Sequence, residues 1–334
     1  MQTIVRAPGV IKLLGEHAVV YGKLSLAMAI DMYATARAED EDSFSIWLAD
    51  FGKSKKFKID ELNGLYKAFM SRKSIEEYVS ANAAYSDFLP FATLLASANA
   101  EFGITPKKIT LSSEVPIKKG FASSAALSTA LSLALINGTS NNDTEAIELA
   151  RVGEIVMHRS EGAGRIDVNT SYLGGFVTYS QKDGAKKLDA SADFSLIAID
   201  TGPKKSTAET VGHVASLMVQ NKRETEHIME EIEACTNAGL EALKKGDIKA
   251  LGSEMFKDHE LLRKLGVSSP GLDKAVELAR KAGSLGAKLS GGGGGGIAIA
   301  LSAEGLEERM KREGFGCIRI RVSHAGAKEL KNVA

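Results

Sequence analysis

Six consecutive glycines, Gly291 to Gly296, stand between Lys288-Leu289-Ser290 and the apolar run Ile297–Leu301. Glycine loses more conformational freedom on folding than any other residue. A run this long needs something to offset it: backbones that pack very closely, or a ligand that requires the room. Both flanks read as strands, so the segment is a strand–loop–strand unit. It formally satisfies G-x-G-x-x-G, but a dinucleotide site needs a helix after the glycines, and an apolar strand follows here. A tight turn without a ligand is the plainer alternative.

The remaining chain is organised in blocks. Thr3–Val5 and Val10–Leu14 read as strands around a turn at Pro8-Gly9, and Lys23–Ile30 and Tyr33–Arg37 as two further strands. Phe44–Leu48 and Lys53–Ile59 fit a hairpin. The spacing of Phe91, Leu94, Leu95, Ala98 and Phe102 predicts a helix over Phe91–Phe102. Ile109–Val115 is a strand, Ala125–Ile136 a helix buried on most of its surface, and Thr144–Met157 a helix capped by Thr144. Strands follow at Phe176–Tyr179 and Phe194–Asp200. Thr207 to Lys245 reads as two helices broken near Asn237 or Gly239, with two more at Ile248–Leu265 and Pro270–Ala282 and a last strand at Cys317–Val322. A β-rich start, a helical middle and a βαβ-like end make the chain α+β rather than a doubly wound sheet. The expected division is 1–180 and 181–334.

Composition excludes more than it selects. Lys+Arg and Asp+Glu are each 42, so the balanced charge gives no support to a general nucleic-acid or membrane-surface role. The two cysteines, Cys235 and Cys317, suit a reducing compartment and leave no zinc framework. No apolar run approaches the roughly 20 residues that span a bilayer, and the first residues lack a signal-peptide pattern. A cytoplasmic protein is the expectation.

Two further segments can carry chemistry. In Gly120-Phe121-Ala122-Ser123-Ser124-Ala125-Ala126 a strand ends, a glycine turns the chain, and small residues open a helix. The first amides of a helix lack intrahelical partners and the dipole adds positive potential, so phosphate binds well there. Ser123 and Ser124 can offer hydroxyls to phosphate or magnesium. The stretch is not a P-loop, since G-x-x-x-x-G-K-[ST] is absent, and by itself it also fits an ordinary capped helix. The other segment holds Glu154 and His158, four apart on one helix face, and then Gly164-Arg165-Ile166-Asp167. A glutamate and an aspartate near a phosphate loop can hold Mg²⁺ and orient a hydroxyl. Taken singly, each is more readily read as an ordinary solvated carboxylate. The histidines show no metal-ligand spacing.

In their order these segments resemble the GHMP kinase superfamily, and within it the mevalonate kinases. Ala7-Pro8-Gly9 with Gly15-Glu16-His17-Ala18-Val19-Val20-Tyr21-Gly22 is similar to the family's first motif, Gly120–Ala126 to its second, and Lys288–Gly296 to its third. Asp200-Thr201-Gly202-Pro203 with Ser206-Thr207, and Leu265–Pro270 with Leu272-Asp273, resemble segments typical of mevalonate kinases. The resemblance implies a two-domain α+β fold with the active site in the cleft between domains. It also implies ATP and Mg²⁺ as cofactors, and phosphorylation of mevalonate or a closely related alcohol in isoprenoid biosynthesis. Carried over by position, Lys119, Gly120, Phe121, Ala122, Ser123, Ser124 and Ala125 contact ATP, and Ser124 and Glu154 hold the metal. Asp167 is the catalytic aspartate, and Glu16, His17, Thr207 and Gly293 line the acceptor site. Homodimers are common in the superfamily.

Two departures stand out. The family's lysine directly after Ala-Pro-Gly is Val10 here, and Lys12, two positions on along a strand, is the substitute expected on the same face. The family's S-G-[IV]-D is Gly164-Arg165-Ile166-Asp167, which places at the acceptor site a guanidinium suited to a carboxylate or a second phosphate. An anionic, even phosphorylated, acceptor follows. Two alternatives remain: a related mevalonate diphosphate decarboxylase, suggested by Phe121–Ala125 and Gly174–Val177, and a non-catalytic nucleotide- or metabolite-binding relative, suggested by Val10.

Overall fold

The structure is a computed structural model and describes residues 2–117, 119–136, 142–190, 192–203 and 207–330. Its strands are β1 (Gln2–Leu14), β2 (Ser25–Asp40), β3 (Phe44–Leu48), β4 (Lys53–Phe57), β5 (Lys107–Ser113), β6 (Phe176–Ser180), β7 (Gly184–Lys187), β8 (Ser195–Asp200), β9 (Ala287–Ser290), β10 (Ile297–Leu301), β11 (Gly316–Arg321) and β12 (Lys328–Glu329). Its helices are α1 (Ile59–Met70), α2 (Ile75–Ala81), α3 (Leu89–Phe102), α4 (Ser123–Ile136), α5 (Asp143–His158), α6 (Arg165–Leu173), α7 (Thr207–Gln220), α8 (Lys222–Lys244), α9 (Ile248–Lys264), α10 (Pro270–Lys281) and α11 (Leu306–Arg312). The α+β reading holds.

Tertiary contacts group the chain into two compact units that differ from a single cut after residue 180: 1–10, 32–174 and 325–334 form one, and 11–31 with 175–324 the other. The physical reason is that β1 and β2 are long, and each contributes one end to each unit. A linear sequence offers no breakpoint inside a strand.

In the first unit the sheet order is β12-β1-β2-β5-β3-β4, with β2 antiparallel to β5 (Ala34 opposite Ser113) and β3 parallel to β5. The expected β3–β4 hairpin is present. Helices α3 and α4 form the interior. Every residue from Leu89 to Ala98 is buried, as is nearly all of α4. A helix apolar all round belongs in a core, and the run Ala125–Leu135 is one. In the second unit β11-β8-β10-β9 is an antiparallel sheet, and β6 pairs with the first part of β2 and with β7. Its core joins Ile197, Ile199, Leu262, Leu272, Val276, Leu289 and Met310.

Several sequence expectations are corrected. Pro8-Gly9 makes no turn, because β1 runs straight through it; Gly9 is there because a Cβ would meet Val115 Cγ1 at 2.8 Å and the Phe121 carbonyl oxygen at 3.0 Å. The two strands expected in 23–37 are one, β2. The long helical stretch breaks at Asn221, not at Asn237 or Gly239. Gly239 lies inside α8, where a Cβ would stand 2.2 Å from Leu14 Cδ1, so its smallness serves close packing. Asn142, not Thr144, caps α5, its side chain accepting from the Thr144 amide. Short elements such as α1, α2, α6 and β7 were not anticipated.

Candidate active site

In the first unit, three helices converge. Ala125 of α4, Ala150 of α5 and Val168 of α6 are wholly buried against one another. Gly153 lets α5 approach α4, since a Cβ there would lie 2.6 Å from Ser128 Oγ. This packing of small residues brings the start of α4, the end of α5 and the start of α6 together, and with them Ser124, Glu154 and Asp167.

The loop before α4 has a fixed path. Gly120 (φ 91°) and Ala122 (φ 51°) are both left-handed, and the Val10 amide donates to the Phe121 carbonyl at 2.9 Å while the Phe121 ring is buried. A non-glycine residue at positive φ is uncommon and costs of order 1 kcal/mol. Here it turns the chain so that α4 opens at Ser123, with the Ala126 amide donating to the Ala122 carbonyl at 3.1 Å. The first amides of α4 are those a helix leaves for a ligand. Lys119 is exposed beside this turn. On its other side, β1 accepts at the Pro8 carbonyl from Ser171 Oγ of α6 (2.7 Å), so the strand ties the loop to the helix carrying Asp167.

Glu154 is 1% exposed, and its Oε1 is buried without a hydrogen-bond partner. Its Oε2 lies 3.3 Å from His158 Nε2, and the same nitrogen is 3.4 Å from Ser124 Oγ. A buried carboxylate oxygen left unsatisfied is costly. Paired with a serine hydroxyl, it is a hard-oxygen donor set of the kind Mg²⁺ takes, alongside phosphate and water. The residues fit the ion. Gly164 is needed here too: it has φ 76°, and a Cβ would strike Glu154 Cβ at 2.7 Å. Asp167 stands half-buried in the first turn of α6, where the dipole favours negative charge. Arg165, two positions earlier and on another side of the helix, is exposed.

In the second unit, the first and third motifs meet, although 272 to 278 residues separate the paired positions. Lys12 N donates to Ser290 Oγ (3.2 Å) and Ser290 Oγ donates to the Lys12 carbonyl (3.0 Å). Lys288 Nζ donates to Glu16 Oε1 at 2.5 Å, and the Gly291 amide reaches the same oxygen at 3.4 Å. His17, at φ 60°, donates through Nε2 to the Gly292 carbonyl at 3.1 Å; burial holds its pKa below the ordinary value, which keeps the ring neutral. From Ala7 to Leu14, Lys12 is the one residue not fully buried, while Val10 is 1% exposed. Thr207 opens α7, and its side chain lies outside the described residues.

The glycine loop answers the question its sequence raised. Gly291 and Gly293 to Gly296 all take positive φ. At Gly293 the reason is also close packing, since a Cβ would lie 2.0 Å from the Val267 carbonyl oxygen; that oxygen accepts from the Gly294 amide at 2.7 Å. A Cβ built on Gly291 would meet nothing within 4 Å, so that side of the loop has room.

Sequence reasoning missed a buried polar cluster beneath this loop. Asp258 and His259, adjacent on α9, face Lys288 and Leu289. Asp258 Oδ2 is 3.4 Å from Lys288 Nζ, and the Leu289 amide donates to His259 Nδ1 at 3.3 Å. His259 Nε2 faces Asp273 Oδ1 at 3.3 Å, which also accepts from Ser268 Oγ at 2.5 Å. A lysine inside an apolar strand was the available signal, since a buried ammonium requires a carboxylate. Burial pushes the Asp258 carboxyl up to about 7 against the pull of Lys288, and pushes His259 down to about 4.

These shifts have opposite consequences. Between the ordinary carboxylate range and about 7 the folded protein holds a proton on Asp258 that the unfolded chain releases, so this group makes stability fall as pH rises through that window. His259 is neutral in the fold where the unfolded chain is protonated, so its contribution is lost as pH falls from about 6.5 towards 4. The variant Asp258→Asn removes the first effect alone. Its melting temperature relative to the parent is expected to be higher at pH 8 than at pH 5; an equal difference at both pH values would contradict the assignment.

Comparison with known proteins matches residues 89–175 to the GHMP kinases N terminal domain and residues 240–316 to the GHMP kinases C terminal. The mevalonate kinase of Methanocaldococcus jannaschii is 31% identical over 321 residues, covering 93% of this chain and 95% of that protein. The chain belongs to the mevalonate kinase family. The mevalonate kinase of Pyrococcus abyssi is likewise 31% identical, over 89% of this family member and 87% of its own length. A solved structure of the Methanococcus jannaschii mevalonate kinase superposes with a TM-score of 0.79 at 27% identity, over 97% of this family member and 99% of that chain. No helix among the described residues of this mevalonate kinase homologue is long and apolar enough to cross a membrane.

Proposed function

We infer that the chain is an ATP-dependent kinase that phosphorylates a hydroxyl of mevalonate in isoprenoid biosynthesis. The observation that carries the reading is the packing of α4, α5 and α6 around Ala125, Ala150 and Val168, which gathers a helix start, a serine and two carboxylates in one unit. Phosphoryl transfer asks for little covalent chemistry from a protein and for much positioning and charge neutralisation. That set supplies both, and the relatives named above carry the same activity in their names.

In this reading Lys119 to Ala125 hold the triphosphate through the turn and the first amides of α4. Ser124 and Glu154 would hold Mg²⁺, which neutralises phosphate charge when bound. Asp167 orients the acceptor hydroxyl and takes its proton. Lys12, the polar exit from an otherwise buried stretch of β1, supplies the positive charge that Val10 does not, and His17, Gly293 and Thr207 contribute to acceptor binding with Glu16 behind them. Arg165 takes the acceptor carboxylate. The enzyme works on small molecules in the cytoplasm.

ADP release against mevalonate, its phosphates, galactose and homoserine tests the reading. Mevalonate is expected to give a kcat/KM at least about tenfold above every other acceptor, which corresponds to about 1.4 kcal/mol of transition-state discrimination. Preference for a phosphorylated acceptor, or CO₂ release with ADP, would overturn it.

A further inference from the structure

We propose that Lys288 and Glu16 form a buried pin that positions the glycine loop and His17 for phosphoryl transfer, neither of them touching the acceptor. The proposal rests on the kinase reading for its consequence, though not for its geometry.

Lys288 is wholly buried in β9, between the equally buried Ala287 and Leu289. Its ammonium donates to Glu16 Oε1 and, at 2.7 Å, to the Leu289 carbonyl, with Asp258 beyond. Glu16 Oε1 also takes the Gly291 amide, the first of the glycine run. One buried cation therefore fixes the residue before His17 and the point where the loop leaves the strand. His17 then closes the circuit on the Gly292 carbonyl. Lys288 is wholly buried and Glu16 is 2% exposed, and the Oε1 of Glu16 is already taken by Lys288 and the Gly291 amide, so the pair acts through its neighbours.

Stability alone does not account for such a pair. Well-packed neutral residues usually serve a core as well as a buried ion pair does, whereas removing one partner strands a charge. What the pair adds is geometry. Five loop glycines at positive φ have many alternative conformations, and a loop displaced by about 1 Å can cost about 100-fold in rate.

The test uses the full chain with Lys288→Met, Glu16→Gln, the double variant and Glu16→Asp. Each of the first two is expected to lower the melting temperature by at least about 5 °C, because a charge or carboxamide is left unmatched in the core. The double variant recovers most of that loss, yet its kcat stays down by about 100-fold, and amides 290–294 exchange at least about tenfold faster while those of β8 and β10 are unchanged. Glu16→Asp keeps every charge but withdraws the carboxylate from Gly291. It is expected to melt within about 3 °C of the parent and still lose about tenfold in kcat with faster loop exchange. A double variant within about threefold of parental kcat, or loop exchange unchanged in both the double variant and Glu16→Asp, overturns the pin. Should the parent fail to phosphorylate mevalonate, the functional reading falls while loop exchange still decides the pin.

Discussion

Replacing Asp167 by asparagine is expected to lower kcat by about 10²–10⁴-fold while KM for ATP stays within about twofold. Asparagine keeps the size of the side chain and is tolerated in a first helical turn, so α6, with Val168 in the shared cluster and Ser171 bonded to the Pro8 carbonyl of β1, should stay in place. The triphosphate contacts assigned to 119–125 are untouched by the change. What is lost is a carboxylate able to take the proton of the attacking hydroxyl as the new P–O bond forms. That interaction exists in the transition state and not in ground-state nucleotide binding, so its removal belongs in kcat. Steady-state kinetics at saturating Mg²⁺ and acceptor decide the matter. A variant that keeps kcat within tenfold and loses only acceptor affinity would show Asp167 to be a binding residue.

The first unit's candidate site was legible in the sequence for a specific reason. A strand, a glycine and a run of small residues opening an apolar helix is a local pattern, and Gly120 to Ile136 is contiguous. Glu154 and Asp167 were visible as carboxylates near that pattern, but what joins them to it is the Ala125–Ala150–Val168 contact, which three separate helices create. Gly239 and Gly9 show where single letters mislead. Glycine marks either a break in an element or a close approach by something distant, and Leu14 against Gly239 and the Phe121 carbonyl against Gly9 supply the approach. The buried Lys288 cluster was the least legible part. Its members are spread over residues 16, 258, 259, 273 and 288, and they become neighbours only where α9, α10, β9 and the segment after β1 meet. Contact grouping places one part of β1 and one part of β2 in each unit, which no linear reading of the sequence offers.

Gly293→Ala should destabilise the second unit by about 3–5 kcal/mol, and Gly291→Ala by only about 1–2 kcal/mol. Both residues sit at positive φ, 74° and 85°, so both variants carry the conformational penalty of a left-handed side chain, about 1–2 kcal/mol. They differ in what the new methyl meets. At 291 it meets open space. At 293 it would lie 2.0 Å from the Val267 carbonyl oxygen, which is backbone and cannot rotate aside. The loop must then move off the 265–270 turn, and the Gly294 amide loses its 2.7 Å bond to that carbonyl, which is itself buried. Overpacking and an unsatisfied carbonyl add a further few kcal/mol. Trp47, the single tryptophan, lies in the first unit and is half-exposed, so its fluorescence follows that unit while circular dichroism follows helices in both. Urea unfolding read by the two signals should show an early loss of helix in Gly293→Ala that fluorescence does not register. Equal destabilisation by the two substitutions would mean that backbone conformation alone, and not the contact with Val267, demands glycine in this loop.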